Sequence, residues 1–196
     1  PLVENAYIHG ISKNDDGGKI LKGFAPSVTA KDLRIGQYDT LVIPEDVTDI
    51  DDFAFAYIFD TKANNITTIE LNQNLQTIGA YAFYYCYGIK QITNLENTKL
   101  INIKTNAFHF CQRIENDLIF PPTIEQIGDS AFKNCEAIKQ ITLPKSLQTI
   151  GNYAFNNCYY SETISEVLSE SEESDGKYEK IAGLVTNRRN FVTKNG

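Results

Sequence analysis

A solenoid of stacked coils is the fold this sequence predicts, and three observations predict it. The dipeptide Ala-Phe recurs at Ala54-Phe55, Ala82-Phe83, Ala107-Phe108, Ala131-Phe132 and Ala154-Phe155, at spacings of 28, 25, 24 and 23 residues. The same apolar residues stand at the same offsets before every copy. Length differences between copies fall in the connecting segments, while the apolar skeleton holds its spacing. A fixed cross-section with variable loops is the signature of a repeat coil.

The skeleton reads aliphatic-x-x-Ile-x-x-x-Ala-Phe. Its isoleucines are Ile50, Ile78, Ile103, Ile127 and Ile150, and the preceding aliphatics are Val47, Leu75, Leu100, Ile124 and Leu147. Four copies place a cysteine three residues after Phe: Cys86, Cys111, Cys135 and Cys158; the first has Ile58. Upstream, Leu41-Val42-Ile43, Ile69-Glu70-Leu71, Leu118-Ile119-Phe120 and Ile141-Thr142-Leu143 alternate with the strand period of two. Pro44, Pro121 and Pro144 directly follow three of these and end them, since proline cannot donate to a ladder. Ile92-Thr93-Asn94-Leu95 leads into Leu100 with two extra residues, and the longest copy carries its insertion at Asp60 to Asn65. One unit cannot bury its own apolar face, so it stacks on a copy of itself. Parallel strands about 4.8 Å apart then form one wall of a continuous core, closed on the other side by Ile, Ala and Phe of the second half.

With these residues in view, the units resemble leucine-rich repeats of the BspA-like type. The best copy runs Ile138-Lys-Gln-Ile141-Thr-Leu143-Pro144-Lys-Ser-Leu147-Gln-Thr-Ile150-Gly151-Asn-Tyr-Ala154-Phe155-Asn-Asn-Cys158. The resemblance covers about residues 39–160 and implies a right-handed solenoid, with a concave parallel sheet and a convex side of short strands or helical turns. It further implies a cell-surface or secreted bacterial or protozoan protein of the adhesin or host-interaction kind. Gly79, Gly128 and Gly151 match the family's glycine after Ile, whereas Asp51 and Lys104 depart from it.

Residues 1–38 lie outside the repeat. Ala6, Ile8, Ile20, Leu21 and Phe24 flank Asp15-Asp16-Gly17-Gly18, a hairpin signal read as an N-terminal cap over the apolar end of the solenoid. Residues 161–196 open with a Ser/Glu-rich run, from Ser161 to Asp175, expected to be a solvated loop. A calcium role for that run would need a fixed loop register it does not have. The segment Tyr178 to Val192 regains apolar residues and reads as a C-terminal cap, or as the start of a further module.

Composition bounds the function. The chain has 196 residues, a net charge of −7 and no methionine, and starts at Pro1. It is expected to be a processed or excised piece from which any signal or anchor has been cut. Acidity argues against nucleic acid and anionic membrane surfaces as partners, and no apolar run reaches the length of a membrane span. The four cysteines share one phase of the repeat, so they are expected to stack as small buried hydrophobes. Disulfides are disfavoured by the coil spacing, and the intervals match no zinc pattern. His9 and His109 are the only histidines, and no nucleophile elbow, HExxH or phosphate loop occurs. No enzyme, cofactor or metal is therefore expected.

One feature points to recognition. The two residues after each Ala-Phe read Ala56-Tyr57, Tyr84-Tyr85, His109-Phe110, Lys133-Asn134 and Asn156-Asn157, and Phe59, Tyr81, Tyr87, Tyr153, Tyr159 and Tyr160 stand nearby. Tyr57, Tyr84, Tyr85, Tyr87, His109 and Phe110 are the candidate binding residues, forming an aromatic ridge along one edge. The competing reading is that these rings only pack between coils. The opposite, concave face would carry Glu70, Thr93, Ile119 and Thr142 in a row. The sequence thus predicts a non-enzymatic surface module that binds an extracellular protein or glycan, the alternative being a stalk that presents another domain.

Overall fold

The computed structural model describes residues 11–13, 19–21, 23, 39–59 and 66–158. The proposed C-terminal cap or module, the Asp15-Gly18 turn, and Tyr159 and Tyr160 lie outside these residues. Among the described residues there are twelve short strands: β1 (Ile11–Lys13), β2 (Lys19–Leu21), β3 (Thr40–Val42), β4 (Val47–Ile50), β5 (Thr68–Glu70), β6 (Thr77–Ile78), β7 (Gln91–Thr93), β8 (Asn102–Ile103), β9 (Leu118–Ile119), β10 (Gln126–Ile127), β11 (Ile141–Thr142) and β12 (Thr149–Ile150). The 3-10 turn Leu95–Asn97 is the only helical element among the described residues.

The longest sheet, of seven strands, runs β1-β2-β4-β6-β8-β10-β12. From β4 onward its register is that of the repeat, with Ile50, Ile78, Ile103, Ile127 and Ile150 opposite one another in parallel pairs. At its start β2 pairs antiparallel with β1 and parallel with β4, so that Leu21 lies opposite Ile50 and is fully buried. Lys19 forms an ion pair with Asp46 that ties β2 to the first coil.

The strand-like stretches upstream of each unit form the second wall of parallel strands, as the sequence predicts. That wall is divided into a three-stranded sheet β3-β5-β7 and a two-stranded pair β9-β11. The break has a local cause. The third coil carries two extra residues folded into the Leu95–Asn97 turn, and the fourth has one extra residue between Ile114 and Leu118. At the mismatch the Asn116 side chain stands in for a strand. Its Nδ2 donates to the Ile92 carbonyl at 3.0 Å, and its Oδ1 accepts the Ile92 N–H at 3.0 Å. A carboxamide has the donor–acceptor pair of a peptide, so both backbone groups stay bonded across the gap.

Between the two walls runs a continuous apolar core. Phe55, Phe83, Phe108, Phe132 and Phe155 stack in one column, with ring centroids 5.2, 5.0, 5.0 and 5.4 Å apart and planes within 13° of parallel. Phe59, expected to add to the surface ridge, is instead fully buried against Phe55 and Phe83. The glycines after Ile are explained by close approach of neighbouring coils. A Cβ at Gly128 would stand 2.6 Å from Thr105 N, and one at Gly151 would stand 2.2 Å from Asp129 N.

The cysteines are all free and line the core, Cys86, Cys111 and Cys135 being buried and Cys158 half-buried. Each thiol donates to the Phe carbonyl of the preceding coil: Cys86 to Phe55 at 3.2 Å, Cys111 to Phe83 at 3.0 Å, Cys135 to Phe108 at 3.1 Å and Cys158 to Phe132 at 3.0 Å. The slot therefore wants a small apolar body with one weak donor, which is the description of a cysteine. Burial pushes the thiols of Cys111 and Cys135 well above their ordinary pKa and that of Cys158 up to about 12, which keeps them protonated and unreactive.

Candidate functional site

The ridge residues sit on a third face, the arc that carries Ala-Phe across the end of each coil. Each arc is three overlapping turns. In the first, Ala54 N–H donates to Asp51 O, Ala56 N–H to Phe53 O and Ile58 N–H to Phe55 O, and the pattern repeats in every later coil. The outer turns hold their third residue at positive φ. Those residues are Phe53 and Tyr57, Tyr81 and Tyr85, Asn106 and Phe110, Ser130 and Asn134, and Tyr153 and Asn157, with φ between 53° and 64°. The second position after Phe is thus not simply free to vary, as its residue variety suggests. It is a left-handed position, where asparagine is favoured and an aromatic is strained by about 1–2 kcal/mol.

Hydrogen bonds between arcs offset that strain. Phe53, Phe55 and Tyr57 donate to the carbonyls of Ala80, Ala82 and Tyr84, each at 2.8 Å, and the arcs of the second, third and fourth coils do the same to their successors. The arcs are therefore a third ladder along the solenoid, built from turns. This ladder fixes three columns of side chains along the arc face, all at least partly exposed except Asn134, which is buried. One holds Phe53, Tyr81, Asn106, Ser130 and Tyr153. A middle one holds Ala56, Tyr84, His109, Lys133 and Asn156. The third holds Tyr57, Tyr85, Phe110, Asn134 and Asn157.

In the first three coils these columns form one connected aromatic cluster. Phe53 stacks on Tyr81 at 4.7 Å with planes 3° apart, and Tyr57 stacks on Tyr85 at 5.5 Å. Tyr85 continues to Phe110 at 4.4 Å and meets Tyr87 edge-on at 5.3 Å. Tyr84 stands nearly perpendicular in the middle, edge-on to Tyr57, Tyr81, Tyr85 and His109. All six candidate residues are thereby brought together. Tyr57 is 64% exposed, and Tyr84, Tyr85, Tyr87, His109 and Phe110 are half-buried. Phe53, at 58% exposure, belongs to the same cluster, though the residues singled out from sequence do not include it. The signal that finds it is its place one residue before Ala, the phase of Tyr81 and Tyr153.

The cluster is uncharged. Burial, together with the neighbouring phenols, raises the Tyr84 hydroxyl to about 12, so it stays a neutral donor. His109 joins the rings to an amide row. Its Nδ1 lies 2.8 Å from Asn106 Oδ1, which can only accept, so Nδ1 carries the proton; Nε2 then accepts from Asn134 Nδ2 at 3.4 Å. Asn134 Oδ1 in turn accepts from Asn157 Nδ2 at 2.6 Å. Burial, with a smaller contribution from Lys133, lowers the His109 pKa to about 4, so the imidazole is neutral at physiological pH. Lys133 lies over the Tyr153 ring at 5.3 Å. None of the side chains in the three columns is Asp or Glu, in a chain that carries 25 of them. Among the described residues, no group of three or more His, Cys, Asp or Glu is placed to hold a metal ion.

The fold and its arcs define a leucine-rich-repeat solenoid, and comparison assigns the branch. The family described as BspA type leucine rich repeat region (6 copies) matches residues 35–162, well over half of the chain, and the chain belongs to it. The fold is similar to that of a leucine-rich repeat protein from T. pallidum, with 22% identity and a TM-score of 0.65 over 81% of this chain and 68% of that one. It is also similar to the pneumococcal vaccine antigen PcpA, with 20% identity and a TM-score of 0.54 over 78% of this chain and 49% of that one. At these identities the likeness is one of fold. Among curated proteins, a search found no match.

Proposed function

We propose that this chain is a non-enzymatic recognition module, secreted or displayed at a cell surface, that engages a macromolecular partner through the arc face in an adhesive or host-interaction role. The observation that carries this reading is the arc cluster: a set of connected, uncharged rings, with Phe53 and Tyr57 mostly exposed, on an otherwise acidic molecule. Interface cores are enriched in Tyr and Phe and depleted of Asp, Glu and Lys, the composition found here. Because the ladder of inter-arc hydrogen bonds fixes the backbone beneath the rings, little ordering entropy is lost on binding. Family membership supports a binding scaffold, and the pneumococcal neighbour is named as an antigen, in keeping with a surface location.

A spacer role is the second reading, favoured by the coil-to-coil stacking of the same rings, which gives them a packing use. An array of extracellular-matrix proteins and glycans, probed with the parent and with a folded Tyr57→Ala/Tyr84→Ala variant, separates the two. Saturable binding lost by the variant is the expected result. An absence of binding by the parent would favour the spacer, and equal binding by both would move the site off the arc face.

A further inference from the structure

We propose that the arc cluster is a site of oxidative modification, at which a peroxide-driven one-electron oxidant joins Tyr84 to Tyr85 by a carbon–carbon bond between the ring carbons beside their hydroxyls, independently of any partner the face binds. The chain offers an oxidant few other targets. Thiolates and methionine sulfur are the usual ones. This sequence has no methionine and no tryptophan. Its four cysteines line the core, and burial holds the thiols of Cys111, Cys135 and Cys158 in the unreactive protonated form. Tyrosine is the next side chain to give up an electron.

The tyrosines are gathered rather than scattered. Among the described residues, Tyr57, Tyr81, Tyr84, Tyr85 and Tyr87 are linked ring to ring, with centroid distances from 4.4 to 5.5 Å. Tyr153 stands apart in the last coil, with Lys133 over its ring. An oxidant meets Tyr57, which is 64% exposed, and the electron vacancy passes through ring contacts to Tyr84 and Tyr85.

Geometry selects the pair that couples. Neighbouring residues of a strand point to opposite faces. Here Tyr85 has a φ of 57°, held by its N–H bond to the His109 carbonyl at 2.9 Å, and both rings lie on the arc face. Their centroids are 4.4 Å apart, the shortest tyrosine–tyrosine distance in the cluster, with planes 69° apart. Their hydroxyls are hydrogen-bonded to each other. A phenoxyl radical carries its spin on oxygen and on the ring carbons beside it, so that hydrogen bond turns the reactive carbons toward one another. Directly joined phenols are twisted out of plane, as these rings already are. Tyr57 lies on Tyr85 face to face, at 5.5 Å and 23°, and would have to turn on edge to couple.

The reaction balances as follows. Each phenol loses one electron and its hydroxyl proton. The two phenoxyls form one Cε–Cε bond, and the hydrogens on those carbons pass through water to the oxygens, restoring both hydroxyls. Two electrons and two protons leave, and they reduce one hydrogen peroxide to two waters.

The test treats the full chain, dilute, with hydrogen peroxide and a catalytic amount of a haem peroxidase. Dityrosine emission, which no tryptophan obscures, gives the yield, and tryptic mass spectrometry gives the position. The fragment 63–90, which carries Tyr81, Tyr84, Tyr85 and Tyr87, is expected to lose two hydrogens, with the bond mapped to Tyr84 and Tyr85. Tyr84→Phe keeps the ring and removes the phenol, so the yield should fall at least tenfold; Tyr153→Phe should leave it unchanged. In urea the preference for this pair should disappear. Absence of dityrosine in the folded chain, a principal link that joins fragment 63–90 to the one carrying Tyr57 or falls on the adjacent Tyr159 and Tyr160, or an equal Tyr84–Tyr85 yield in urea would each overturn the proposal.

Discussion

The phenylalanine column offers the sharpest test of how this solenoid is held together. Phe108, 1% exposed, is its central member, stacked on Phe83 and Phe132 with both centroid distances 5.0 Å. Truncation to Ala removes the buried ring and leaves a cavity, at a cost of about 3–5 kcal/mol. Two stacked pairs, each worth about 0.5–1.5 kcal/mol beyond area, place this site at the top of that range. Phe155 provides the contrast. It is 2% exposed, but in the column it has only Phe132, at 5.4 Å, with Phe120 meeting it edge-on at 6.3 Å. Phe155→Ala should therefore cost about 1 kcal/mol less than Phe108→Ala. Phe108→Leu keeps most of the volume and loses the stacking, for about 1–2 kcal/mol. Urea unfolding followed by circular dichroism reads these differences as midpoint shifts at constant slope. A Phe108→Ala cost below about 2 kcal/mol, or one equal to that of Phe155→Ala, would show that the column is not the cooperative spine described here.

Other consequences are equally direct. Cys111→Ser keeps a donor to the Phe83 carbonyl and Cys111→Val removes it, yet Phe83 O still accepts the Cys86 N–H; both should cost under about 2 kcal/mol in thermal unfolding, and neither should alter the fold. His109 is neutral in the folded state with a pKa near 4 against 6.5 when unfolded, so in that window the unfolded chain binds the extra proton. Stability should be full above about pH 6.5 and fall toward pH 4, by on the order of 1–2 kcal/mol after allowance for partial solvent screening, and His109→Gln should remove this component of the slope. Gly128→Ala drives a Cβ to 2.6 Å from Thr105 N and should destabilise by more than 2 kcal/mol, measured by denaturant midpoint. Asn116→Leu strips the Ile92 N–H and carbonyl of their partner across the sheet gap, so hydrogen exchange of the Ile92 amide should accelerate at least tenfold while that of Ile103 is unchanged.

The arithmetic of the chain was sufficient for a good deal of this. Five copies of one apolar pattern cannot bury themselves singly, so stacking, the in-register isoleucines and the buried cysteine row follow from spacing alone. Which strand set forms the longer sheet did not follow. That depends on where inserted residues break register, and Asn94 to Thr98 and Asn116 break it in one wall only. The aromatic residues after Ala-Phe were visible as a repeat phase, but not their conformation. A left-handed turn is normally announced by Gly or Asn, and here Phe53, Tyr57, Tyr81, Tyr85 and Phe110 occupy it because hydrogen bonds to the next coil over-determine the backbone. Periodicity records what every coil must bury. How neighbouring coils satisfy each other's polar groups is a property of the stack, and that decided the arc face, the thiol donors and the neutral His109.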